Sequence, residues 1–297
     1  MDQDDATGLI SDPSALRNLI RDEGYLMLRG LLPSATIHDV GQECLAVLQG
    51  AGLPVGSADD PYRFDWGRMP GDYHDRVGEV FAELYGLEAV HLLYHSEPLL
   101  SVGQILTNEV DTIPHPHKRV RFQPPARAGA PPQKTGAHQD HMYNQASTEM
   151  YTVWVPLGDV DADMGGLEVL PRSHLNGLKE VDEETEAGSI TYQVKERWPD
   201  RDWFRPAYSV GDCIIFHSLT LHRASPNLSE RVRLSVDCRY QGASQPFARE
   251  LLQPLPGVIE SYPKWRHKEL QYYWERVNLK TVPWEPDRIP GVRATTS

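Results

Sequence analysis

His138 and Asp140 stand two apart in the run Gly136-Ala137-His138-Gln139-Asp140-His141. In an extended strand, residues two apart share a face. An imidazole and a carboxylate can therefore be presented side by side while Gln139 points away. A second imidazole comes from far along the chain, in Phe216-His217-Ser218-Leu219-Thr220-Leu221-His222. The apolar run at 211–216 reads as a strand and puts His222 near a strand end, where a rigid element can hold a ligand. Two histidines and one carboxylate on one face of a metal leave the opposite positions open. Non-haem iron uses that arrangement to take a chelating cosubstrate and dioxygen.

A third piece, Arg231-Val232-Arg233-Leu234-Ser235, follows one hairpin-length later. Arg233 and Ser235 are again two apart and can offer a guanidinium fork and a hydroxyl to one anion. Arg231, Arg233 and Arg239 share strand parity and compete for this role. Ser235 favours Arg233. Each piece alone has an ordinary reading, as a chance His-x-Asp pair or a surface arginine; together they impose independent requirements. His217 is off the His222 face and reads as structural. His141 is off the His138 face and is a candidate for touching substrate. A rival pair, His115-Pro116-His117 with Asp111 nearby, is not followed closely by an arginine-bearing strand and reads as a loop near a cavity mouth. A zinc hydrolase is the second functional class, but the upstream histidine pair its motif needs is missing, since position 136 is Gly. A non-catalytic jelly-roll binding protein is the third, disfavoured by a complete triad with its arginine.

The rest of the chain must position these groups. Its 297 residues suffice for one large domain or two small ones; helices followed by a β core read as one domain over 1–297, and the net charge of -13 argues against non-specific nucleic-acid binding. No stretch of roughly 18 apolar residues suggests a membrane span, and the acidic start Met1-Asp2-Gln3-Asp4-Asp5 is no signal peptide. Cys44, Cys213 and Cys238 are too few and scattered for a disulfide framework. The expectation is a soluble, reduced, cytoplasmic protein acting on a small-molecule substrate.

Helices occupy about 13–94. Asp12 can cap the first ahead of Pro13, Gly24 ends it, and Ser34 can cap the second, whose Ile37, Val40, Cys44, Val47 and Leu48 recur at helical spacing. A β core spans about 98–240, with strands expected at 100–106, 148–157, 167–170, 190–194, 213–216 and 232–240. A Pro-rich loop at 123–132 precedes the metal motif. Residues 176–206, with Trp198 and Trp203, read as an insertion or lid, and 264–277 as a C-terminal helix. Tyr143 and Asn144, with the two tryptophans, are candidate substrate contacts. Lys118, Arg119 and Arg121 form the strongest basic cluster, which reads equally as a partner for a phosphate or carboxylate and as an ordinary solvated charge run.

Taken together, Gly-Ala-His138-Gln-Asp140-His, then Gly165-Gly166-Leu167-Glu168-Val169-Leu170-Pro171-Arg172-Ser173-His174, then His222 with Arg233 and Ser235, resemble the phytanoyl-CoA dioxygenase family of Fe(II)- and 2-oxoglutarate-dependent oxygenases. The resemblance runs from about Tyr25 to about Tyr240. It implies a mainly β fold with flanking helices, a double-stranded β-helix or jelly roll. It implies that His138, Asp140 and His222 bind Fe(2+) as the catalytic centre, and that Arg233 pairs with the distal carboxylate of 2-oxoglutarate beside Ser235. Trp154, with Thr135 and Gln104 behind it, would line the cosubstrate pocket. His174 is then structural. The small hydroxyl residue common two after the distal histidine is Ala224 here, with Ser225 beside it. The implied reaction couples O2 and 2-oxoglutarate to oxidation of an unactivated C–H bond, releasing succinate and CO2. Because Asp140 keeps the carboxylate that halogenating relatives replace, hydroxylation is favoured. A small or medium natural-product-like metabolite is favoured over an acyl-CoA.

Overall fold

A computed structural model describes residues 5–130, 134–186, 189–285 and 288–292; Pro131 and Pro132 of the Pro-rich loop lie outside them. Helix α1 (Pro13–Glu23) begins as its sequence demands: the Asp12 carboxylate accepts from the Ser14 and Ala15 amides, and Gly24 closes it at φ 84°. Strand β1 (Tyr25–Leu28) follows. Helix α2 (Ser34–Gly50) buries Ile37, Val40, Cys44, Val47 and Leu48, though Ser34 is its first residue and no side chain caps it. Helices α3 (Tyr73–Tyr85) and α4 (Glu88–Tyr94) complete the expected run. The strand expected at 100–106 is instead helix α5 (Glu97–Thr107). Pro98 sits in its first turn, and Leu99, Val102 and Leu106 are buried at helical, not alternate, spacing.

The β core consists of antiparallel sheets. β1, β9 (Cys213–His217), β5 (Met150–Pro156), β11 (Arg233–Gly242) and β2 (Thr112–Pro114) lie in that order, with β3 (Arg119–Gln123) also paired to β11. Opposite is a three-stranded sheet in the order β4 (Thr135–His138), β10 (His222–Ala224), β6 (Leu167–Val169). A hairpin of β7 (Val181–Glu186) and β8 (Ser189–Val194) arises from the expected insertion. Two facing antiparallel sheets flanked by helices make the jelly roll that the resemblance implies.

Strand β11 divides the molecule. Leu234, Val236, Cys238 and Tyr240 join one apolar cluster with Val153 and Val155 of β5 and with residues of α1, α2, α4 and α5. Arg233, Ser235, Asp237 and Arg239 take the other face and look into the space between the sheets. In register they meet Arg119, Arg121 and Gln123 on β3, and Thr152, Trp154 and Pro156 on β5. Fully extended, β11 is buried on both faces, yet only one face is apolar. The expected C-terminal helix is replaced by short 3₁₀ turns at Tyr262–Lys264, Lys268–Leu270 and Tyr273–Arg276. Trp265, Leu270 and Trp274 anchor these turns in the core, and Tyr272 at φ 50° interrupts helical continuation. Among the described residues no helix is long and apolar enough to cross a membrane.

Candidate active site

His138 ends β4 and His222 begins β10, and the two are direct partners in the ladder. Their rings lie 4.1 Å apart, and His222 Nε2 is 3.6 Å from Asp140 Oδ1. One ligand atom from each of His138, Asp140 and His222 falls within 4.8 Å of the others; among the described residues no other group of three His, Cys, Asp or Glu converges in this way. His138 Nδ1 is 2.8 Å from the Gly136 carbonyl and His222 Nδ1 is 3.0 Å from that of Thr220. With Nδ1–H donating to these carbonyls, each Nε2 keeps its lone pair for a metal. Burial, followed by the facing His222, pushes His138 down to about 3. Burial lowers His222 as well, against the pull of Asp140. Both rings are neutral ligands at neutral pH.

Burial alone would raise the Asp140 carboxyl, but the Arg239 guanidinium, then His222 and His138, hold it well below the usual carboxylate range. Arg239 donates from Nε and Nη2 to Oδ2 at 3.1 and 2.9 Å and from Nη2 to Oδ1 at 3.0 Å. Thr152 Oγ1 donates to Oδ2 at 2.5 Å. Gln139 turns away, as its parity requires, and donates to the Gly177 and Leu219 carbonyls. Two neutral imidazoles and one ionised carboxylate form a donor set that fits a divalent transition metal such as iron.

Arg233 lies beyond the metal ligands, only 3% exposed. It donates from Nη1 to the Gly165 carbonyl. Its Nε and the Ser235 hydroxyl are buried without a hydrogen-bond partner among the described residues. Burial, then the nearby Arg121, pushes its guanidinium down to about 10. A buried cation with unspent donors is costly until an anion arrives. Arg233 lines one pocket with Thr135, His138, Trp154, His222 and Ala224, and its guanidinium is 5.9 Å from the Trp154 ring. Arg231, one competitor, ion-pairs with Asp60 at 2.9 Å; Arg239, the other, is committed to Asp140. Ser225 does not replace the missing hydroxyl at Ala224, because it donates to Glu168 instead. Gln104 is not in this pocket: it lies exposed on α5 and donates to the Val110 carbonyl at 2.9 Å. Its expected place depended on a strand that is a helix.

A larger cavity of about 450 Å³ opens on the other side of His138 and Asp140; Tyr143, Asn144 and Thr135 line it, as do His117, Arg119 and Tyr192. Tyr143 stands edge-on to His138, 5.8 Å between rings, and its hydroxyl accepts from the Tyr192 amide at 2.9 Å. Asn144 also steadies the turn, donating to the Asp140 carbonyl at 2.8 Å. His141 is not among the cavity residues. It begins helix α6 (His141–Asn144), and its Nδ1 meets the Ser147 carbonyl at 3.2 Å. The helical turn carries it off the ligand face. Trp198 and Trp203 serve packing: Trp203 is buried with Met142 and Leu221 under the Arg223 guanidinium, and Lys179 lies over Trp198. Lys118 is fully buried, donating to His115 O and Tyr273 Oη, and leaves the basic cluster. His115 packs on Phe247 while His117 reaches the cavity, so the rival pair forms no site. His174 Nε2 meets the Arg21 carbonyl, a structural role as expected.

Thr152, Asp237 and the carboxylate-holding role of Arg239 were not legible beforehand. Arg239 shares the parity of Arg233, and Thr152 is two before Trp154, but only the pairing of β5 with β11 sets Thr152 opposite Arg239 and both beside Asp140.

A family model described as phytanoyl-CoA dioxygenase matches residues 20–235. The chain is 27% identical over 261 residues to a 1-deoxypentalenic acid 11-beta-hydroxylase of Streptomyces exfoliatus, covering 85% of this chain and 89% of that one. It is 24% identical to the peroxisomal phytanoyl-CoA dioxygenase of Rattus norvegicus over 52% of each chain. In fold it is similar to SnoN, solved with Fe3+, alpha ketoglutarate and nogalamycin RO (TM-score 0.55, 20% identity, 84% and 90% covered). It is also similar to EvdO2 of Micromonospora carbonacea, solved with 2-oxoglutarate (TM-score 0.54, 14% identity, 77% and 90% covered). With the family model spanning most of the jelly roll and a neutral His, His, carboxylate set inside it, the chain belongs to the phytanoyl-CoA dioxygenase family of iron- and 2-oxoglutarate-dependent oxygenases.

Proposed function

We propose that this enzyme hydroxylates an unactivated C–H bond of a small or medium organic metabolite, with His138, Asp140 and His222 holding Fe(II) and Arg233 and Ser235 receiving the distal carboxylate of 2-oxoglutarate. The observation that carries the reading is a buried triad within 4.8 Å whose two histidines line a pocket, and a buried arginine with unspent donors on the same pocket. Iron held by these three residues would supply the oxidising power for C–H cleavage, with O2 as oxidant and 2-oxoglutarate as the co-reductant that is converted to succinate and CO2. The chain's own groups do the positioning. Gly136 and Thr220 carbonyls set the histidine tautomers. Arg239 and Thr152 fix the Asp140 carboxylate. Trp154 walls the cosubstrate pocket, and Tyr143 with Tyr192 walls the larger cavity. The retained Asp140 favours hydroxylation over halogenation. The 450 Å³ cavity is in the range for a mid-sized ligand, and the hydroxylase of Streptomyces exfoliatus is similar over most of both chains.

The test is the visible spectrum of metal-free protein mixed anaerobically with Fe(II) and 2-oxoglutarate. A weak charge-transfer band that needs both additives is expected. Asp140→Ala removes it. Arg233→Ala shifts its 2-oxoglutarate dependence to roughly 10- to 100-fold higher concentration, the equivalent of losing a charge-assisted hydrogen bond. A folded wild-type protein that gives no band overturns the reading.

A further inference from the structure

The larger cavity holds more positive than negative side chains, in a chain whose net charge is -13. Three guanidiniums, Arg119, Arg121 and Arg239, line it. Two carboxylates face them, and their oxygens are spoken for. Asp237 Oδ1 accepts from Arg121 at 2.5 Å and Oδ2 from Arg239 at 2.6 Å. Asp140 accepts from Arg239 and Thr152. Arg119 sits opposite Asp237 in the β3–β11 ladder, yet its side chain makes no hydrogen bond and no ion pair within 4 Å among the described residues. Burial, then Arg121 and Arg239, works against its charge, and Asp237 and Tyr85 offset this only in part. A guanidinium with five donors, pressed by two like charges and open to a cavity, is satisfied best by an incoming anion. Tyr143, Tyr192 and Leu251 give the same cavity apolar wall.

Resting on the reading of this cavity as the substrate site, we infer that the substrate is an apolar molecule bearing a carboxylate, and that Arg119 receives that carboxylate. A planar fork matches a carboxylate with two parallel hydrogen bonds. Held at Arg119, the apolar body extends along the wall toward His138 and Asp140, which lie on the same cavity. The carboxylate is then a handle that sets which carbon faces the metal ligands. Arg119 is thus a specificity-determining residue, distinct from Arg233, which lies in the cosubstrate pocket.

The experiment uses the full chain, anaerobic, with Fe(II) and saturating 2-oxoglutarate, so that Arg233 is already occupied. The charge-transfer band is recorded first; its absence strikes the oxygenase reading and not the carboxylate one. Adamantane-1-carboxylate and abietate are then each titrated against their own primary amides, followed by calorimetry and by perturbation of the band. At least one acid is expected to bind about tenfold or more tighter than its amide, the scale of one charge-assisted contact. Arg119→Gln abolishes that preference without changing amide binding or the band, and Arg119→Lys restores part of it. Equal binding of acids and amides, no binding of either acid, or an acid preference that survives Arg119→Gln overturns the inference.

Discussion

Arg239→Met tests whether a buried chain of charges pre-shapes the metal site. Arg121, Asp237, Arg239 and Asp140 form one run, with Asp237 2% and Asp140 1% exposed. Methionine keeps much of the side-chain volume, so the change is mainly electrostatic. After the substitution Asp237 still has Arg121, but Asp140 keeps only Thr152 and two neutral imidazoles. Removing one partner of a buried pair costs about 3–5 kcal/mol, because the stranded charge loses its compensation without regaining water. Urea unfolding of the metal-free variant at neutral pH should show a loss of that size. A divalent metal at the triad supplies its own positive charge to Asp140. The deficit should therefore shrink when metal saturates both proteins. The same substitution in an Asp140→Asn background should also cost less, since the stranded charge is gone. A metal-free variant within about 1 kcal/mol of wild type refutes the reasoning, as does a deficit that metal and Asp140→Asn both leave unchanged.

Two further predictions concern acid and backbone. His138, His115 and His117 are pushed down to about 3, first by burial, from an ordinary value of 6.5. Each binds a proton more readily unfolded than folded, so its contribution to stability is complete above about 6.5 and is lost as pH falls toward 3. Denaturant unfolding of the metal-free protein at pH 7.5, 6.0 and 5.0 should therefore give falling stability; a flat profile would count against neutral burial of these rings. Gly165 sits at φ 68° with the Ser225 and Pro226 carbonyls where a Cβ would go, and its own carbonyl receives Arg233. Gly165→Ala should destabilise the fold by roughly 1–3 kcal/mol and raise the KM for 2-oxoglutarate more than it lowers kcat. An unchanged KM would mean that this carbonyl does not aim Arg233.

The metal ligands could be found in the sequence because strands alternate. A spacing of two placed His138 and Asp140 together, whereas the apolar run before His222 is β9, which ends at His217, and His222 instead begins β10 in the other sheet. The choice among Arg231, Arg233 and Arg239 was not so accessible. Parity makes them equivalent and Ser235 alone favours Arg233 in the sequence; the structure separates them by which carboxylates lie opposite: Asp60 for Arg231, Asp140 and Asp237 for Arg239, and none among the described residues for Arg233. Two of those partners, Asp60 and Asp140, are remote in sequence. The run at 100–106 failed for a related reason. Its composition suits either a strand or a buried helix, and Pro98 with the spacing of Leu99, Val102 and Leu106 decides for the helix only once the cluster they pack into is known. Strand alternation cannot place His141, which begins helix α6, and gives the wrong place to Gln104, which sits on helix α5.

Strand β11 explains why the fold and the chemistry cannot vary independently. Its even positions, Leu234 to Tyr240, are gripped by helices and by Val153 and Val155. Its odd positions carry the buried guanidinium of Arg233, the Asp237–Arg239 pair that reaches Asp140 and the hydroxyl of Ser235. A slip of one residue would put four apolar side chains into the polar interior and three charged groups into the apolar core. The helical layer is remote from the metal ligands, yet its packing against the even positions sets the register at which Arg233 meets the pocket lined by His138 and His222 and Arg239 meets Asp140. Stability of that apolar face is therefore a condition of the site geometry.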